Sequence, residues 1–191
     1  MRATARPGPS RSRTLLQASI VVALAVILAV VLRTFLIGTY LIPSGSMEPT
    51  LMINDRIVVD KLSYHLHGIH RGDIVVFSTP PDENCGGPPV ADLVKRVIGL
   101  PGETISSVGD TILIDGEPLA EPWLPKLTGL CYQSAADVPT TRIPPGQYFV
   151  MGDCRGDSSD SRSWGTVPAS NIIGKVTVVV WRHNHPWLHW F

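Results

Sequence analysis

The 191-residue sequence has no excess of either charge, since 16 Lys and Arg residues balance 16 Asp and Glu residues. Proteins that bind nucleic acid need a basic surface to neutralise phosphates, and the only basic stretch here is the N-terminal arm. No repeat of fixed period is present either. These absences exclude a nucleic-acid partner and a repeat architecture, and the length is sufficient for one compact domain plus a terminal segment.

The N-terminal segment combines a basic arm with a long apolar run. Four arginines and no acidic residue occupy residues 1–13, and residues 14–32 carry no charge. Such a run is long enough to span hydrocarbon, and the absence of a small-x-small cleavage site after it favours a retained anchor over a cleaved signal peptide. Because positive charge stays on the cytoplasmic side, the N-terminus is predicted to be cytoplasmic.

This pattern predicts three regions in a single-pass protein of the cell membrane. Residues 1–13 form a cytoplasmic basic arm, residues 14–38 a transmembrane anchor, and residues 39–191 an extracytoplasmic domain. A buried core helix is the alternative for the apolar run, but its length and its basic flank favour the anchor.

The remainder of the chain is predicted to fold as a mostly β domain behind that helix. Short runs rich in β-branched residues are bounded by Gly, Pro or Asp, as is typical of strands. Gly-Asp and Asp-Gly pairs at 109–110 and 115–116 predict tight turns. The predicted strands are residues 55–60, 73–77, 93–98, 104–108, 111–114, 147–151 and 175–181.

Two other kinds of segment interrupt or follow these strands. Residues 79–89 and 118–146 are rich in Pro and Gly and are predicted to be excursions from the sheet. The last ten residues are rich in aromatic side chains, which favours contact with a membrane interface.

A serine-rich loop follows the anchor, and a lysine lies on a later predicted strand. Ser46 has an ordinary interpretation as a turn hydroxyl, but Ser44 is two residues away and Lys95 provides a candidate base. A lysine amine has an unperturbed pKa of about 10.4, so it can accept a proton near neutrality only if burial disfavours its charged form. Strand alternation places Leu93 and Val97 on the same face as Lys95, which predicts an apolar setting.

A polar segment after the strand at 147–151 allows two interpretations. Its carboxylates at Asp153, Asp157 and Asp160 supply the hard oxygens of a calcium loop. The spacing does not follow the EF-hand pattern, however, and the arginines at 155 and 162 would oppose a cation. A pair between Asp160 and Arg162 that braces a catalytic loop is the simpler hypothesis.

Three motifs, in this order, resemble the bacterial type I signal peptidase family. The first is Pro-Ser-Gly-Ser-Met followed by Pro-Thr-Leu, within residues 43–51. The second is Lys-Arg-Val-Ile-Gly-Leu-Pro-Gly-Glu at residues 95–103. The third combines Gly-Asp at 152–153 with Asp-Ser-Arg at 160–162. Together they extend over most of the predicted external domain. One departure is Cys154, where the family usually has Asn.

The resemblance implies a membrane-bound Ser/Lys endopeptidase on a β scaffold that removes signal peptides from exported preproteins. By motif position, Ser46 is the nucleophile, Lys95 the general base and Ser44 the oxyanion donor. The other implied roles are orientation of the lysine amine (Ser158), a supporting pair (Asp160 and Arg162) and walls near the substrate pockets (Ile42, Pro43 and Leu93). Implied partners are preproteins with small residues before the cut, the lipid bilayer and the nearby export translocon. No metal or cofactor is implied.

The cysteines indicate a disulfide, and the histidines suggest a candidate metal site. In an external domain, three cysteines predict one disulfide and one free thiol. Cys85 and Cys131 both lie in the predicted excursions, so we expect them to pair and Cys154 to stay free. His65, His67 and His70 suggest a metal site, but no acidic or cysteine ligand is close in sequence, which favours a polar loop.

Two other functions remain open at this point. One is a specialised Ser/Lys processing peptidase of the same clan, and the other is a non-catalytic, membrane-tethered β module that binds export factors. Acylation of Ser46 by an inhibitor distinguishes an enzyme from a binding module.

Overall fold

The computed structural model describes residues 11–79, 91–124, 131 and 138–191. The predicted excursion at 79–89 therefore lies almost entirely outside the described residues, as does Cys85. Within the described residues the protein is mostly β, which confirms the predicted class of fold.

A helix precedes the β domain. Helix α1 covers Arg11–Phe35, and its apolar side chains between residues 15 and 30 are exposed. In the described part of the chain, no helix meets the length and apolarity required of a membrane span. Strand β1, Ile37–Leu41, begins directly after α1, and Lys61 N donates to Leu36 O at 3.0 Å across the junction. The chain therefore passes from the helix into the sheet without a linker.

The larger of two sheets carries most of the structure. It has eight strands in the order β1-β2-β11-β3-β4-β9-β10, and β12 pairs with β11 beside this path. All of its pairs are antiparallel. Its strands are β1 (Ile37–Leu41), β2 (Arg56–Asp60), β3 (Ile74–Ser78), β4 (Asp92–Gly99), β9 (Gln147–Met151), β10 (Val167–Pro168), β11 (Ile172–Arg182) and β12 (His185–Trp190).

The smaller sheet has four strands in the order β7-β6-β5-β8. Its strands are β5 (Thr104–Val108), β6 (Thr111–Ile114), β7 (Glu117–Pro118) and β8 (Thr141–Arg142). The two predicted turns flank β6, where Gly109, Asp115 and Gly116 have positive φ angles. Two short helices complete the described fold: α2 (Ser63–Leu66) and α3 (Ser161–Trp164).

Strand β3 is buried on both faces, and it separates two hydrophobic clusters. Ile74 and Val76 belong to a cluster with residues of β2 and β11, whereas Val75 and Phe77 belong to one with residues of β4 and β9. This division follows from the alternation of side chains along a strand. A third cluster lies between the small sheet and β9.

The C-terminal aromatic segment, for which its composition predicts contact with a membrane interface, forms a strand of the larger sheet. His183 and Asn184 adopt positive φ angles and turn the chain back, so that β12 pairs with the end of β11. Every residue of β12 is nevertheless exposed. The aromatic residues thus belong to a hairpin of the sheet.

Candidate active site

The segment between β1 and β2, here named the nucleophile loop (residues 42–55), carries both candidate serines. Its ends are joined because Ile42 N donates to Asp55 O at 2.9 Å and Asn54 N donates to Ile42 O at 2.8 Å. Inside it, Gly45–Met47 forms a short 3₁₀ helix. Met47 is buried in the core, so the loop is held down on one side while Ser46 remains half-buried.

Ser46 and Lys95 are brought together by the loop and strand β4. Lys95 Nζ lies 2.6 Å from Ser46 Oγ, within hydrogen-bond distance. Lys95 is only 3% exposed. Its neighbours along the strand, Leu93 and Val97, both belong to the cluster around Phe77, in agreement with the alternation expected from sequence. Burial of this kind disfavours the charged form of an amine.

Ser44 lies at the start of the same turn. Its Oγ is 3.4 Å from Ser46 Oγ, and the residue is exposed. Backbone N–H groups in the first turn of a helix have no partner within the helix. The Ser44 hydroxyl and the Ser46 N–H are therefore both available near the reacting oxygen.

A second loop, here named the support loop (residues 152–165), packs against the back of Ser46. Cys154 N donates to Ser46 O at 3.1 Å. A Cβ atom on Gly152 would lie 2.4 Å from Ser46 O and 2.3 Å from Ser158 Oγ. Because no real Cβ is tolerated at such distances, this position requires glycine. Ser158 and the nucleophile loop thus meet across the Gly152 backbone.

Asp160 organises the support loop. Its Oδ2 accepts from Ser158 Oγ at 2.8 Å and from Gly152 N at 3.0 Å. Arg162 Nε donates to Asp160 Oδ1 at 2.8 Å, and its Nη2 donates to Oδ2 at the same distance. Burial acts to raise the pKa of the Asp160 carboxyl, but Arg162 and the hydrogen bonds from Gly152 and Ser158 outweigh it and hold the pKa below its ordinary value.

Two further arginines, absent from the list of predicted site residues, support this region. Arg96 follows Lys95 and pairs with Asp153 through Nε–Oδ1 at 2.8 Å and Nη2–Oδ2 at 2.6 Å, with both residues buried. Arg155 donates from Nε to Gly152 O at 3.0 Å and pairs with Glu121. Glu121 lies in the Pro/Gly-rich segment, so only the folded structure reveals its contact with the support loop.

The predicted disulfide is wrong in its pairing. Cys131 is joined to Cys154, which is therefore not a free thiol. The expectation rested on the shared composition of the segments around Cys85 and Cys131, and composition does not determine which cysteines meet. Cys154 N also donates to Ser46 O, so the disulfide links Cys131 to a residue that contacts the backbone of Ser46.

The three residues implied for substrate binding lie around the site in different settings. Ile42 is 3% exposed and packs in the core under the nucleophile loop. Pro43 is exposed, and Leu93 is half-buried against the cluster around Phe77. Ile42 and Pro43 directly follow β1, and Leu93 lies on β4.

The cation-site alternatives find no support in the described residues. Asp153 and Asp160 are both paired with arginines. Among the residues whose placement is described, no group of three or more His, Cys, Asp or Glu side chains is arranged to hold a metal. His65 Nδ1 lies 3.1 Å from Lys61 O, a local contact within the polar turn.

A serine hydroxyl within hydrogen-bond distance of a buried lysine amine, on a β scaffold, is the arrangement of Ser/Lys hydrolases. Comparison with known proteins makes the class narrower. The family model described as signal peptidase, peptidase S26, matches residues 15–181. The chain belongs to this family of peptidases.

Individual relatives agree with this membership. The chain is 40% identical to signal peptidase I of Leptolyngbya laminosa, over 92% of this chain and 84% of the relative. It is 36% identical to signal peptidase I of Mycobacterium tuberculosis, over 93% and 76%, and 34% identical to signal peptidase I T of Bacillus subtilis, over 95% and 93%. Among solved structures, a signal peptidase I from Enterococcus faecalis V583 is 31% identical and covers 58% of this chain and 98% of its own, with a TM-score of 0.47.

Proposed function

We propose that this protein is a membrane-bound serine endopeptidase that cleaves N-terminal signal peptides from exported preproteins. The observation that carries the proposal is the 2.6 Å distance between Lys95 Nζ and Ser46 Oγ in a buried setting. Membership of the signal peptidase family supplies the substrate class.

In the first step, the neutral Lys95 amine accepts the Ser46 proton as Oγ attacks the scissile carbonyl. The resulting tetrahedral centre expels the amine of the mature protein, which receives a proton from the Lys95 ammonium. The Lys95 amine, now neutral, accepts a proton from a water molecule as that water attacks the acyl-enzyme. The lysine returns to its neutral form and the serine regains its proton.

The surrounding groups act on the charge and position of these two residues. The Ser44 hydroxyl and the Ser46 N–H donate to the developing oxyanion. Ser158, held by Asp160 and Arg162, orients the lysine amine from the support loop. Ile42, Pro43 and Leu93 border shallow apolar pockets that accept small residues before the cut.

The membrane arrangement belongs to the same proposal. Residues 1–13 are the cytoplasmic arm, residues 14–38 the single anchor, and residues 39–191 the extracytoplasmic domain, located beside the export translocon. The basic arm and the uncharged run support this topology, as do the exposed apolar side chains of α1. Because β1 follows α1 directly, the nucleophile loop then lies close to the outer leaflet, where a preprotein presents its cut site.

The main test is cleavage of a secretory preprotein by the purified protein in detergent. Wild type should cleave and Ser46→Ala should not, while Ser170→Ala serves as the matched control, since Ser170 is exposed and its hydroxyl donates to the neighbouring Asn171. An acylating inhibitor should label wild type and Ser170→Ala but not Ser46→Ala. Binding of preprotein without cleavage by any form of the protein would favour a non-catalytic export module instead.

The topology has its own test. Protease added to intact spheroplasts should digest the β domain and spare the N-terminal arm. Deletion of residues 1–38 should impair cleavage of membrane-bound preproteins more than that of short soluble peptides, because a shared bilayer raises the effective substrate concentration. Equal losses on the two substrates would show that the segment serves folding and not presentation.

A further inference from the structure

The nucleophile loop has a second anchor, supplied by an arginine that lies outside the motifs at 43–51, 95–103 and 152–162. Asp55, at the end of the loop, is completely buried and faces Arg182 at the end of β11. Arg182 Nε lies 3.1 Å and 3.0 Å from the two carboxylate oxygens of Asp55, and Nη2 lies 2.5 Å from Oδ2. A pair of this geometry is directional as well as strong.

The same guanidinium group also contacts the loop backbone. Arg182 Nη2 donates to Thr50 O at 2.9 Å, and Asp55 Oδ2 accepts from Met52 N at 2.9 Å. Thr50 and Met52 lie on the segment that leads away from the 3₁₀ turn of Ser46. One arginine therefore holds the loop at its end, through Asp55, and in its middle, through Thr50.

We propose that Arg182 is a positioning residue for the nucleophile: through Asp55 and Thr50 it fixes the loop that sets the approach of Ser46 to Lys95. This inference rests on the proposed function, since it takes Ser46 as the nucleophile. The match to the family model covers residues 15–181 and does not include Arg182.

The setting of Arg182 explains how it stays in place. Trp181 pairs with Arg56 of β2 on one side, and Arg182 pairs with His185 of β12 on the other. The C-terminal hairpin thereby prevents the end of β11 from fraying. A displacement of about 1 Å at the reacting atoms is enough to slow an enzyme by about a hundredfold, so a loop anchor of this kind matters for rate.

The experiment compares Arg182→Met, which keeps an unbranched side chain but removes its donors, with three other variants in the full chain. Arg56→Met is the matched control, because it removes an exposed arginine at the start of β2 whose guanidinium lies over the Trp181 ring. The double variant Arg182→Met with Asp55→Asn removes the buried unpaired carboxylate as well. Arg182→Lys keeps the charge and one donor group.

The expected result is a kcat about tenfold to a hundredfold lower in Arg182→Met, with a small change in KM and a lower Tm. In the double variant Tm recovers towards wild type, because the carboxylate is neutralised, but kcat stays low, because Thr50 O still lacks its donor. Arg182→Lys gives an intermediate kcat, and Arg56→Met matches wild type. Recovery of kcat together with Tm in the double variant would reduce Arg182 to a structural role and overturn the proposal.

Hydrogen exchange supplies a readout that does not depend on catalysis. In a Ser46→Ala background, Arg182→Met should speed exchange of the Leu51 and Met52 amides, which donate within the loop, and Arg56→Met should not. Unchanged exchange would overturn the proposal even if the enzyme is active. If Arg182→Met speeds exchange but the protein with Ser46 intact never cleaves preprotein, the role of Arg182 as a loop anchor is supported and the proposed function is refuted.

Discussion

The nucleophile loop and the support loop meet at Ser46, but they are held by different means. Asp160 takes its hydrogen bonds from residues two to eight positions away in its own loop. Asp55 is bound by Arg182, 127 positions away on β11. The hydrogen bonds of Asp160 are therefore local in the sequence, whereas the ion pair of Asp55 depends on correct assembly of the larger sheet.

Replacing Lys95, the proposed base, is expected to have the largest effect, because it removes the group that accepts the Ser46 proton. Lys95→Ala and Lys95→Arg should each lower acylation on the order of 10⁴-fold or more, since arginine stays protonated and cannot accept the Ser46 proton. The measurement is the rate of labelling by an acylating inhibitor. Lys61→Arg, just after β2, is the control and should behave as wild type. Near-normal labelling of Lys95→Arg would refute the assignment of the base.

Ser44→Ala tests the nucleophile loop with its anchors intact. We expect kcat to fall by roughly two to three orders of magnitude with little change in KM, which corresponds to roughly 3 to 4 kcal/mol of transition-state stabilisation. Ser44→Thr should lose less, because it retains a hydroxyl. Steady-state kinetics on a preprotein measures both. An unchanged kcat in Ser44→Ala would assign the second oxyanion donor to another group.

Asp160→Asn tests the hydrogen bonds that Asp160 accepts within the support loop. It should lower the free energy of unfolding at pH 7 by about 3 kcal/mol, because Arg162 loses its ionic partner at the buried position of Asp160, and should slow cleavage about tenfold or more. The pKa of Asp160 is lowered in the folded protein, so its carboxylate stabilises the fold fully above the unfolded value of about 3.9 and loses that contribution as the pH falls through the folded value.

The stability difference between Asp160→Asn and wild type should therefore narrow in acid. Urea unfolding at several pH values measures it, and Asp157→Asn, an exposed carboxylate of the same loop, is the control. A difference that stays constant down to acid would contradict a lowered pKa for Asp160.

The disulfide should give the smallest effect on rate. Cys131→Ser with Cys154→Ser should lower the free energy of unfolding by roughly 3 kcal/mol, as expected for a cross-link between residues 23 positions apart, and slow cleavage only a few-fold. Reduction of wild type should do the same, and Cys85→Ser should not. Peptide mapping that finds Cys85 linked to Cys131 would contradict the observed pairing.

Sequence patterns predict well those features that depend on neighbouring residues. The β-branched runs at 104–108, 111–114 and 147–151 match β5, β6 and β9, because alternation and turn residues act locally. Strand β1 escapes prediction since Ile37 continues the apolar run of the helix. Strand β12 escapes because its aromatic residues are exposed on both faces and give no alternation.

The same limit applies to the candidate site. Motif order suggests that Ser46, Lys95 and Asp160 belong together, but the 2.6 Å contact between the first two is a property of the folded sheet. The bonds of Cys131 with Cys154 and of Asp55 with Arg182 each join segments whose local sequence carries no sign of the partner. The pair of Asp55 with Arg182 follows from the topology of the larger sheet, which places β11 beside β2.

Strand β11 has a consequence for the biosynthesis of the protein. It pairs with β2 and β3, and Thr177 reaches back 119 residues to the Val58 carbonyl. Contacts between residues so far apart in the sequence form slowly, and they cannot form before the later segment has been synthesised. A nascent chain therefore presents Ser46 to its surroundings well before the strand that anchors its loop arrives. We therefore expect peptidase activity to be acquired late, as one of the final events of folding.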